Sequence, residues 1–215
     1  MKLVFLGPPG AGKGTQAARM SDEFGLEHAS TGDIFRSAVA EGSELGETVQ
    51  SYLDEGKLVP DELTSRVVDE VVLARKEDYI LDGFPRTIGQ AEMLEQMLQK
   101  RSQSLDGVIY FELEEDEAIR RLTGRLVCSD CGANYHREFM PPKAEGICDK
   151  CGAELRVRSD SSETVVRDRL EEYEAKTAPL VPFYEEKRIL KTVDASASPD
   201  EVSELTKRAI KDLQR

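Results

Sequence analysis

The sequence lacks a surplus of positive charge. Its 29 lysines and arginines are outnumbered by 42 aspartates and glutamates, which gives a formal net charge of -13. General binding of nucleic acids or anionic membranes depends on surplus lysine and arginine. The acidic balance therefore disfavours both kinds of partner, although it is compatible with a locally basic pocket.

Long apolar runs, repeats and low-complexity tracts are absent as well. No run approaches the roughly 20 apolar residues of a membrane span. The first residues enter a predicted strand rather than a signal peptide. We therefore expect a cytoplasmic protein without a membrane partner, and a monomer by default. Cysteines are few, and four of them in such a chain are more typical of metal binding than of disulfides.

Strands and helices alternate along most of the chain. The apolar segments "KLVFL", "YILDG" and "GVIYFEL" predict buried strands, and segments with helical periodicity follow them. This alternation predicts an α/β fold of three layers, with a central parallel sheet of about five strands flanked by helices. The alternation stops at Arg125, and the next residues up to about Ser161 predict an irregular inserted domain.

Local patterns give four further expectations. Thr31 or Asp33 is expected to cap the helix that begins with "TGDIFR", and Ser198 is expected to cap the last helix. The helical segment after Ser162 is expected to bend or break near two prolines, Pro179 and Pro182. One helical face is expected to gather the valines of "DELTSRVVDEVVLA", which are Val67, Val68, Val71 and Val72.

A glycine-rich segment, "GPPGAGKGT", runs from Gly7 to Thr15 directly after the first predicted strand. Glycines let a backbone turn several N–H groups toward one anion, and the following helix adds its dipole. Lys13 supplies a point charge for phosphates. The spacing fits G-x-x-x-x-G-K, but Gly14 stands where a serine or threonine usually contacts magnesium. The segment predicts a phosphate loop in which another group holds the metal; the alternative is a plain strand-to-helix turn.

Three motifs in this order, "GPPGAGKGTQA", "STGDIFR" and "LDGFPRT", resemble those of adenylate kinases, a family of nucleoside monophosphate kinases. The resemblance covers nearly the whole chain and is to the form with a long lid and a cysteine site. It implies the reaction ATP + AMP ⇌ 2 ADP with magnesium, and hence ATP, AMP and ADP as partners. It also implies a core of residues 1–29, 60–124 and 162–215, an AMP-binding domain of residues 30–59 and a lid of residues 125–161.

Phosphoryl transfer between two nucleotides requires positive groups that cancel phosphate repulsion. The resemblance assigns Arg36 and Arg86 to the AMP phosphate, and Arg121 and Arg125 to ATP. It assigns Arg158 and Arg169 to the transferring group between the nucleotides, in contact with AMP as well. Together with Lys13 these arginines are the predicted catalytic cations, although any one of them taken alone is equally compatible with a solvated surface charge.

Asp82 ends an apolar strand, where a carboxylate needs a partner. We expect it to bind magnesium through water, since this ion keeps part of its hydration. The alternative is a cap or a salt bridge at the end of the strand. Asp33 is a weaker candidate, for which a helix cap is an equal alternative.

The resemblance also supplies base and phosphate contacts. Gln90 offers the donor and the acceptor that an adenine edge requires, with an exposed helical residue as the alternative. Tyr135 is expected to flank the ATP base or to pack inside the lid. The implied AMP contacts further include Thr31, Lys57, Leu58, Val59, Gly83, Phe84 and Pro85. The implied ATP contacts further include Gly10, Ala11, Gly12, Gly14, Thr15, Asn134 and Ala197.

The four cysteines follow the spacing C-x2-C-x16-C-x2-C, at Cys128, Cys131, Cys148 and Cys151. Two such pairs can close a tetrahedron of thiolates around Zn²⁺ and leave no open position, so the ion would be structural. The alternative is two disulfides or free thiols. A metal ion bound by both cysteine pairs would join the two halves of the insertion, so that Arg125 and Arg158 move as one unit.

The chain departs from the family pattern at three places. Ser161 stands where a second aspartate often follows Asp160, Gly89 stands where proline is common, and "VDASA" replaces "VDG". Three alternatives stay open on sequence grounds. These are a kinase for another monophosphate or with GTP as donor, a nucleic-acid-binding ATPase, and a structural zinc protein with an inactive loop.

Overall fold

The computed structural model describes residues 1–74 and 78–213. Within these ranges the strands are β1 (Lys2–Leu6), β2 (Glu27–Ser30), β3 (Tyr79–Asp82), β4 (Gly107–Glu112), β5 (Arg125–Cys128), β6 (Asn134–His136), β7 (Leu155–Val157) and β8 (Leu190–Asp194). The α-helices are α1 (Lys13–Phe24), α2 (Thr31–Ala40), α3 (Glu44–Asp54), α4 (Asp61–Val68), α5 (Ile88–Lys100), α6 (Glu115–Thr123), α7 (Glu163–Lys176), α8 (Leu180–Glu186) and α9 (Pro199–Leu213). A π-helical turn, Asp69–Leu73, extends α4, and a 3-10 turn, Ser159–Ser161, precedes α7.

The central sheet has five parallel strands in the order β2-β3-β1-β4-β8. Successive residues of β1 enter different apolar clusters, because side chains alternate between the faces of a strand. Val4 and Leu6 belong to one cluster, whereas Leu3 and Phe5 belong to another. The sheet is therefore buried on both faces, which confirms the predicted three-layer α/β fold.

The carboxyl ends of β1 and β3 lie side by side, with Phe5 paired to Asp82. The chain leaves β1 through Gly7, whose φ is 148°. A Cβ atom at this position would lie 2.5 Å from the carbonyl oxygen of Phe111 in β4, so only glycine permits this close passage. The glycine-rich segment and Asp82 thereby meet at one edge of the sheet, where open α/β sheets bind ligands.

The insertion is more regular than expected. Its strands β5, β6 and β7 form an antiparallel sheet in the order β6-β5-β7. The prediction of an irregular segment was wrong, because strands of three or four residues are too short to show a clear alternation. The cysteines lie at the end of β5 and in the turns around this sheet.

The local expectations have mixed outcomes. The expected cap of α2 was wrong, since Ser30 accepts from the backbone N–H of Asp33 and neither Thr31 nor Asp33 is the cap. The expected cap of α9 is confirmed, because Ser198 Oγ accepts from Glu201 N at 3.4 Å. The break near Pro179 is also confirmed, between α7 and α8, whereas Pro182 lies inside α8.

The valine face is confirmed for three of its four members. Val67, Val68 and Val72 are buried, but Val71 is 38% exposed. The π-helical turn at Asp69–Leu73 places more residues in one turn than an α-helix does, so the helical spacing no longer holds at Val71. Among the described residues, no helix has both the length and the apolar character of a membrane span.

Candidate active site

The glycine-rich loop joins β1 to α1. Gly10 and Gly12 have φ values of 89° and 80°, and a Cβ atom at Gly10 would lie 2.9 Å from the carbonyl oxygen of Ala118. Gly12 stands at the N-cap position of α1 and has no side chain with which to cap the helix. The first N–H groups of α1, from Lys13 to Thr15, are therefore disposed for an anion, together with the positive end of the helix dipole. Ala11 is buried within this loop.

Lys13 folds back over the loop. Its Nζ donates to the carbonyl oxygens of Gly7 at 2.8 Å and Pro8 at 2.9 Å. Burial lowers the pKa of Lys13 to about 8, against the opposing influence of Asp82. A partly buried ammonium gains from an anionic partner, so the position of Lys13 suits a phosphate group above the loop.

Asp82 lies beside this loop, at the end of β3. Its Oδ2 is 3.2 Å from His28 Nε2, and a Cβ atom at Gly14 would lie 3.2 Å from the same oxygen. A serine or threonine at position 14 would crowd this carboxylate. Asp82 therefore lies beside the position at which the hydroxyl of other phosphate loops contacts magnesium. Its contact with His28 is a polar pair at the end of the strand, so it is also compatible with the alternative interpretation.

Three arginines of the lid and of α7 converge on one carboxylate, that of Asp160. Arg158 donates to both of its oxygens, at 2.9 and 2.6 Å, and Arg169 donates to Oδ2 at 2.7 Å. The third, Arg125, places Nη2 3.8 Å from Oδ1. Although burial raises the pKa of the Asp160 carboxyl, Arg169, Arg158 and Arg125 together hold it below its usual value. We call these four residues the arginine cluster.

The arginine cluster has unused hydrogen-bonding capacity. Among the residues that the structure describes, none is a hydrogen-bond partner for the buried Nε and Nη2 atoms of Arg125. Burial, followed by repulsion from Arg158 and Arg169, lowers the pKa of Arg125. Because an unsatisfied buried guanidinium is costly, the cluster is suited to a polyanion that supplies further acceptor oxygens.

Two further arginines face the cleft from the other side. Arg86 is partly buried, its Nε donates to the carbonyl oxygen of Gly83 at 2.8 Å, and desolvation lowers its pKa. Arg36 is half-exposed and donates to the carboxylate of Asp33. The side chain of Asp33 therefore binds this arginine and does not cap the helix. Gly83 has a φ of 82°, and a Cβ atom there would lie 2.9 Å from both Arg86 Nη2 and Thr31 Oγ1.

Arg121 lies apart from the arginine cluster. It donates to Glu117 Oε1 at 2.8 Å, and to the carbonyl oxygens of Ala195 at 2.8 Å and Ser196 at 3.1 Å. This guanidinium therefore borders the segment between β8 and α9 that contains Ala197, which packs against the apolar cluster below it. The predicted ATP contacts of Arg121 and Ala197 thus belong to one place in the fold.

A cleft between α2, the end of α3 and the start of α5 contains most of the predicted AMP contacts. Its lining includes Thr31, Arg36, Lys57, Leu58, Val59, Gly83, Arg86, Gln90 and Arg169. A neighbouring cleft reaches from this region to the glycine-rich loop and is lined by Gly7, Lys13, Pro85 and Arg86, among others. Phe84, in contrast, is completely buried in the core. The two clefts share Arg86 and Arg169, so one continuous site connects the loop with the predicted AMP pocket.

Gln90 is not the exposed helical residue of the alternative interpretation, since it is only 2% exposed. Its Oε1 accepts from the backbone N–H of Arg86 at 2.7 Å, and its Nε2 donates to Asp61 Oδ1 at 2.8 Å. The amide thus lies at the cleft with its orientation fixed from both ends.

The four cysteines form one cluster. The Sγ atoms of Cys128 and Cys151 are 3.4 Å apart, those of Cys131 and Cys148 are 3.6 Å apart, and all four lie within 4.8 Å of one another. Thiolates at about 2.3 Å from a tetrahedral Zn²⁺ would be roughly 3.8 Å apart. All four cysteines are free rather than disulfide-bonded, so the cluster has the donor set of a structural zinc site.

Tyr135 belongs to the cysteine cluster. It is buried, its hydroxyl accepts from Asp149 N at 2.7 Å, and the same oxygen lies 3.6 Å from Cys148 Sγ. This is the packing role that the sequence left open. The preceding residue, Asn134, is exposed and pairs with Val127 across the lid sheet.

Sequence reasoning missed Asp160 and Asp61 as parts of the site. Asp160 lies two residues after Arg158, and Asp61 opens α4 directly after Pro60, so the sequence shows an acidic neighbour but no shared target. A carboxylate that holds residues from distant segments becomes evident only when the fold brings those segments together.

The comparisons with known proteins agree with this geometry. The sequence model described as "Adenylate kinase" matches residues 5–189. The chain is 50% identical over 212 residues to the adenylate kinase of Carboxydothermus hydrogenoformans, with 98% of this chain and 99% of that protein covered. It is 49% identical over 214 residues to that of Caldanaerobacter subterraneus subsp. tengcongensis, with 98% and 96% covered.

A third relative, the adenylate kinase of Fervidobacterium nodosum, is 48% identical over 207 residues, and 95% of each chain is covered. These matches extend across the phosphate loop, the arginine cluster and the cysteine insertion. With a family match over most of its length and relatives at this identity, the chain belongs to the adenylate kinase family.

Proposed function

We propose that this protein performs the reaction of its family, ATP + AMP ⇌ 2 ADP, by direct transfer of a phosphoryl group within the continuous cleft described above. The observation that carries the proposal is the concentration of partly buried positive charge around one cleft of a protein whose net charge is -13. Lys13, Arg86, Arg125, Arg158 and Arg169 all lie around this cleft. Such charge suits two polyphosphate anions that must approach each other.

The donor nucleotide is assigned to the glycine-rich loop. The N–H groups at the start of α1 and the ammonium of Lys13 would hold the β- and γ-phosphates of ATP, while Arg121 and Ala197 would border its base. Magnesium would be held by Asp82 through water, since Gly14 leaves this carboxylate unobstructed beside the loop. Bound there, the ion would neutralise phosphate charge during the transfer.

The acceptor nucleotide is assigned to the cleft beside α2. Arg36 and Arg86 would bind the phosphate of AMP, and Thr31, the backbone of 57–59 and Gln90 would surround its base. α2 and α3 pack in an apolar cluster that contains Phe35 and Val49 and is distinct from the two clusters of the central sheet. Val67 of α4 joins this cluster to the core, and the cluster supports an AMP-binding domain of residues 30–59.

The lid, residues 125–161, would cover the phosphates. Arg125 begins the central strand β5 of the lid sheet, and Arg158 directly follows β7, so Zn²⁺ at the cysteine cluster would keep the spacing of these two arginines constant. Closure would exclude water, which is the competing phosphoryl acceptor. We also propose a cytoplasmic location, since four free cysteines are typical of a reducing compartment, and a monomer by default.

The test is the formation of ADP from MgATP with AMP, measured beside UMP, CMP and GMP, and repeated with GTP as donor. We expect rapid ADP formation from MgATP only when AMP is the acceptor, and none when magnesium is left out. Faster turnover with another acceptor would retain the mechanism but overturn the assignment of AMP. A protein that leaves ATP unchanged with every acceptor would overturn the proposed function.

A further inference from the structure

Gln90 lies at the AMP cleft with both ends of its amide held by groups of fixed polarity. Oε1 accepts from the N–H of Arg86 at 2.7 Å, and Nε2 donates to Asp61 Oδ1 at 2.8 Å. A backbone N–H can only donate, and a carboxylate can only accept. The amide therefore has one orientation in which both contacts are hydrogen bonds.

The reverse orientation is strongly disfavoured. It would place Oε1 against the Asp61 carboxylate and Nε2 against the Arg86 N–H, so that two acceptors and two donors would face each other. An isolated glutamine can rotate its amide by 180° at almost no cost and offers either polarity to a ligand. Gln90 has lost that freedom, because Asp61 and Arg86 N act on its two ends together.

This loss of freedom has a consequence for base selection. Each end of the amide retains one unused function, a lone pair on Oε1 and a hydrogen on Nε2. Adenine presents a donor at its amino group and an acceptor at the adjacent ring nitrogen. Hypoxanthine and guanine present the opposite polarity, an acceptor oxygen and a protonated ring nitrogen. A glutamine that could rotate would serve both kinds of base, whereas a fixed one serves only one of them.

Asp61 is itself held in place. Its Oδ2 accepts from Thr87 Oγ1 at 2.6 Å, and the same hydroxyl accepts from the backbone N–H of Gln90 at 3.1 Å. Gly89 leaves room for this arrangement, because a Cβ atom there would lie 3.1 Å from Oδ2. The carboxylate thus joins the start of α4 to the first turn of α5, which carries Gln90.

We infer that Asp61 is a specificity-determining positioning residue, which fixes the Gln90 amide and thereby makes the cleft select adenine over hypoxanthine and guanine. The inference rests on the proposed assignment of the AMP base to this cleft. Asp61 acts through Gln90 and touches no nucleotide, so its effect is on the choice between bases rather than on the transfer step.

The experiment compares AMP with IMP, which differ at this edge of the base. Dissociation constants of both nucleotides are measured by calorimetry without ATP, and kcat/KM is measured for both with MgATP. The variants are Asp61→Asn, which replaces the pure acceptor by an amide, and Asp61→Ala, in which water of either polarity can take its place. Glu62→Gln makes the same change of charge at the next residue of α4 and is the matched control.

We expect the preference for AMP over IMP to fall by at least about fivefold in both Asp61 variants, in binding and in kcat/KM, because only the N–H of Arg86 then opposes the second orientation of the amide. The control should retain the preference of the original protein. A ratio of rates cancels any loss of folded enzyme, so a merely structural role would leave the preference unchanged. A fall of less than about fivefold in both variants would overturn the inference. The proposed function would still stand in that case, provided that the original protein forms ADP from MgATP and AMP. If the original protein bound no AMP, both would fail.

Discussion

The arginine cluster and the cysteine cluster both gather several side chains of one kind around a small volume, but they are completed in different ways. The arginine cluster contains its own counter-ion, since Asp160 accepts from Arg158 and Arg169 and lies near Arg125. The cysteine cluster brings four sulfur ligands within 4.8 Å of one another and has the full donor set for one cation.

This difference indicates how long each bound ion stays. Four thiolates fill every coordination position of a tetrahedral Zn²⁺ and leave none open for another ligand. The bound ion is therefore part of the folded structure and is expected to exchange slowly with solvent. The arginines keep unused donors beside a carboxylate of the protein itself. An anion can therefore enter, share the guanidinium groups with Asp160 and leave again. We therefore expect the cysteine cluster to stabilise the fold and the arginine cluster to serve turnover.

The largest expected effect separates turnover from stability. Arg125→Met should lower kcat by about 10²–10³-fold, as expected for the loss of one donor to transition-state charge. The melting temperature should stay the same or rise, because a buried guanidinium without hydrogen-bond partners at Nε and Nη2 is removed. Kinetic assays and calorimetry measure the two quantities. The control is Arg156→Met, at an exposed lid arginine that pairs with Glu154, and it should keep the original kcat. A kcat of Arg125→Met within tenfold of that of the original protein would contradict the prediction.

The opposite pattern is expected at the cysteine cluster. Cys128→Ser, or removal of the metal by a chelator, should destabilise the protein by at least about 2–3 kcal/mol, since structural metal binding is linked to folding. For a chain of this size that loss lowers the melting temperature by roughly 4–12 °C. Enzyme assayed well below that temperature should keep kcat within about threefold. Ser129→Ala is the control, and equal melting temperatures with and without metal would contradict the prediction.

A third change addresses the counter-ion itself. Asp160→Asn should destabilise the protein by about 1–3 kcal/mol at pH 7, less than a fully buried pair because the carboxylate is partly exposed. The three arginines hold the pKa of Asp160 below its usual value, so its stabilisation is present above about pH 4 and is lost as the pH falls through the lowered pKa. The difference in melting temperature between the variant and the original protein should therefore vanish in acid. A difference that persists unchanged at pH 2–3 would show that charge is not its cause.

The smallest expected effect is the pH dependence of Lys13. Burial lowers its pKa to about 8, so free enzyme loses this charge above pH 8, and kcat/KM for MgATP should fall by half near that value. Bound phosphate should raise the pKa, so kcat should decline only at higher pH. The stability of the free protein should rise between about pH 8 and 10.5, because the unfolded chain binds the additional proton there. Lys187→Met, at an exposed lysine, should leave these profiles unchanged, whereas identical profiles for kcat/KM and kcat would contradict the prediction.

The sequence was sufficient for the layers, the phosphate loop and the cysteine spacing, because these depend on periodicity and on residues close together in the chain. It was not sufficient for contacts between segments that are distant in sequence. The partners of Gln90 are an example, since Asp61 comes from a different helix. The cap of α2 at Ser30 was missed because Ser30, Thr31 and Asp33 could each serve, and only backbone geometry decides among them.

The exposure of Val71 has a related cause. A π-helical turn changes the number of residues per turn without any glycine or proline to announce it, so an expectation based on α-helical spacing failed there. In the lid, the short strands were too brief for their alternation to be recognised.

The position of β1 at the centre of the sheet has a consequence for synthesis of the chain. Leu3 pairs with Ile80 on one side and with Gly107 on the other, so the first strand to be made has to wait for partners far downstream. At the usual speed of translation this interval is on the order of 5–20 s. During that time the apolar segment "KLVFL" is outside its sheet and is accessible to a ribosome-associated chaperone.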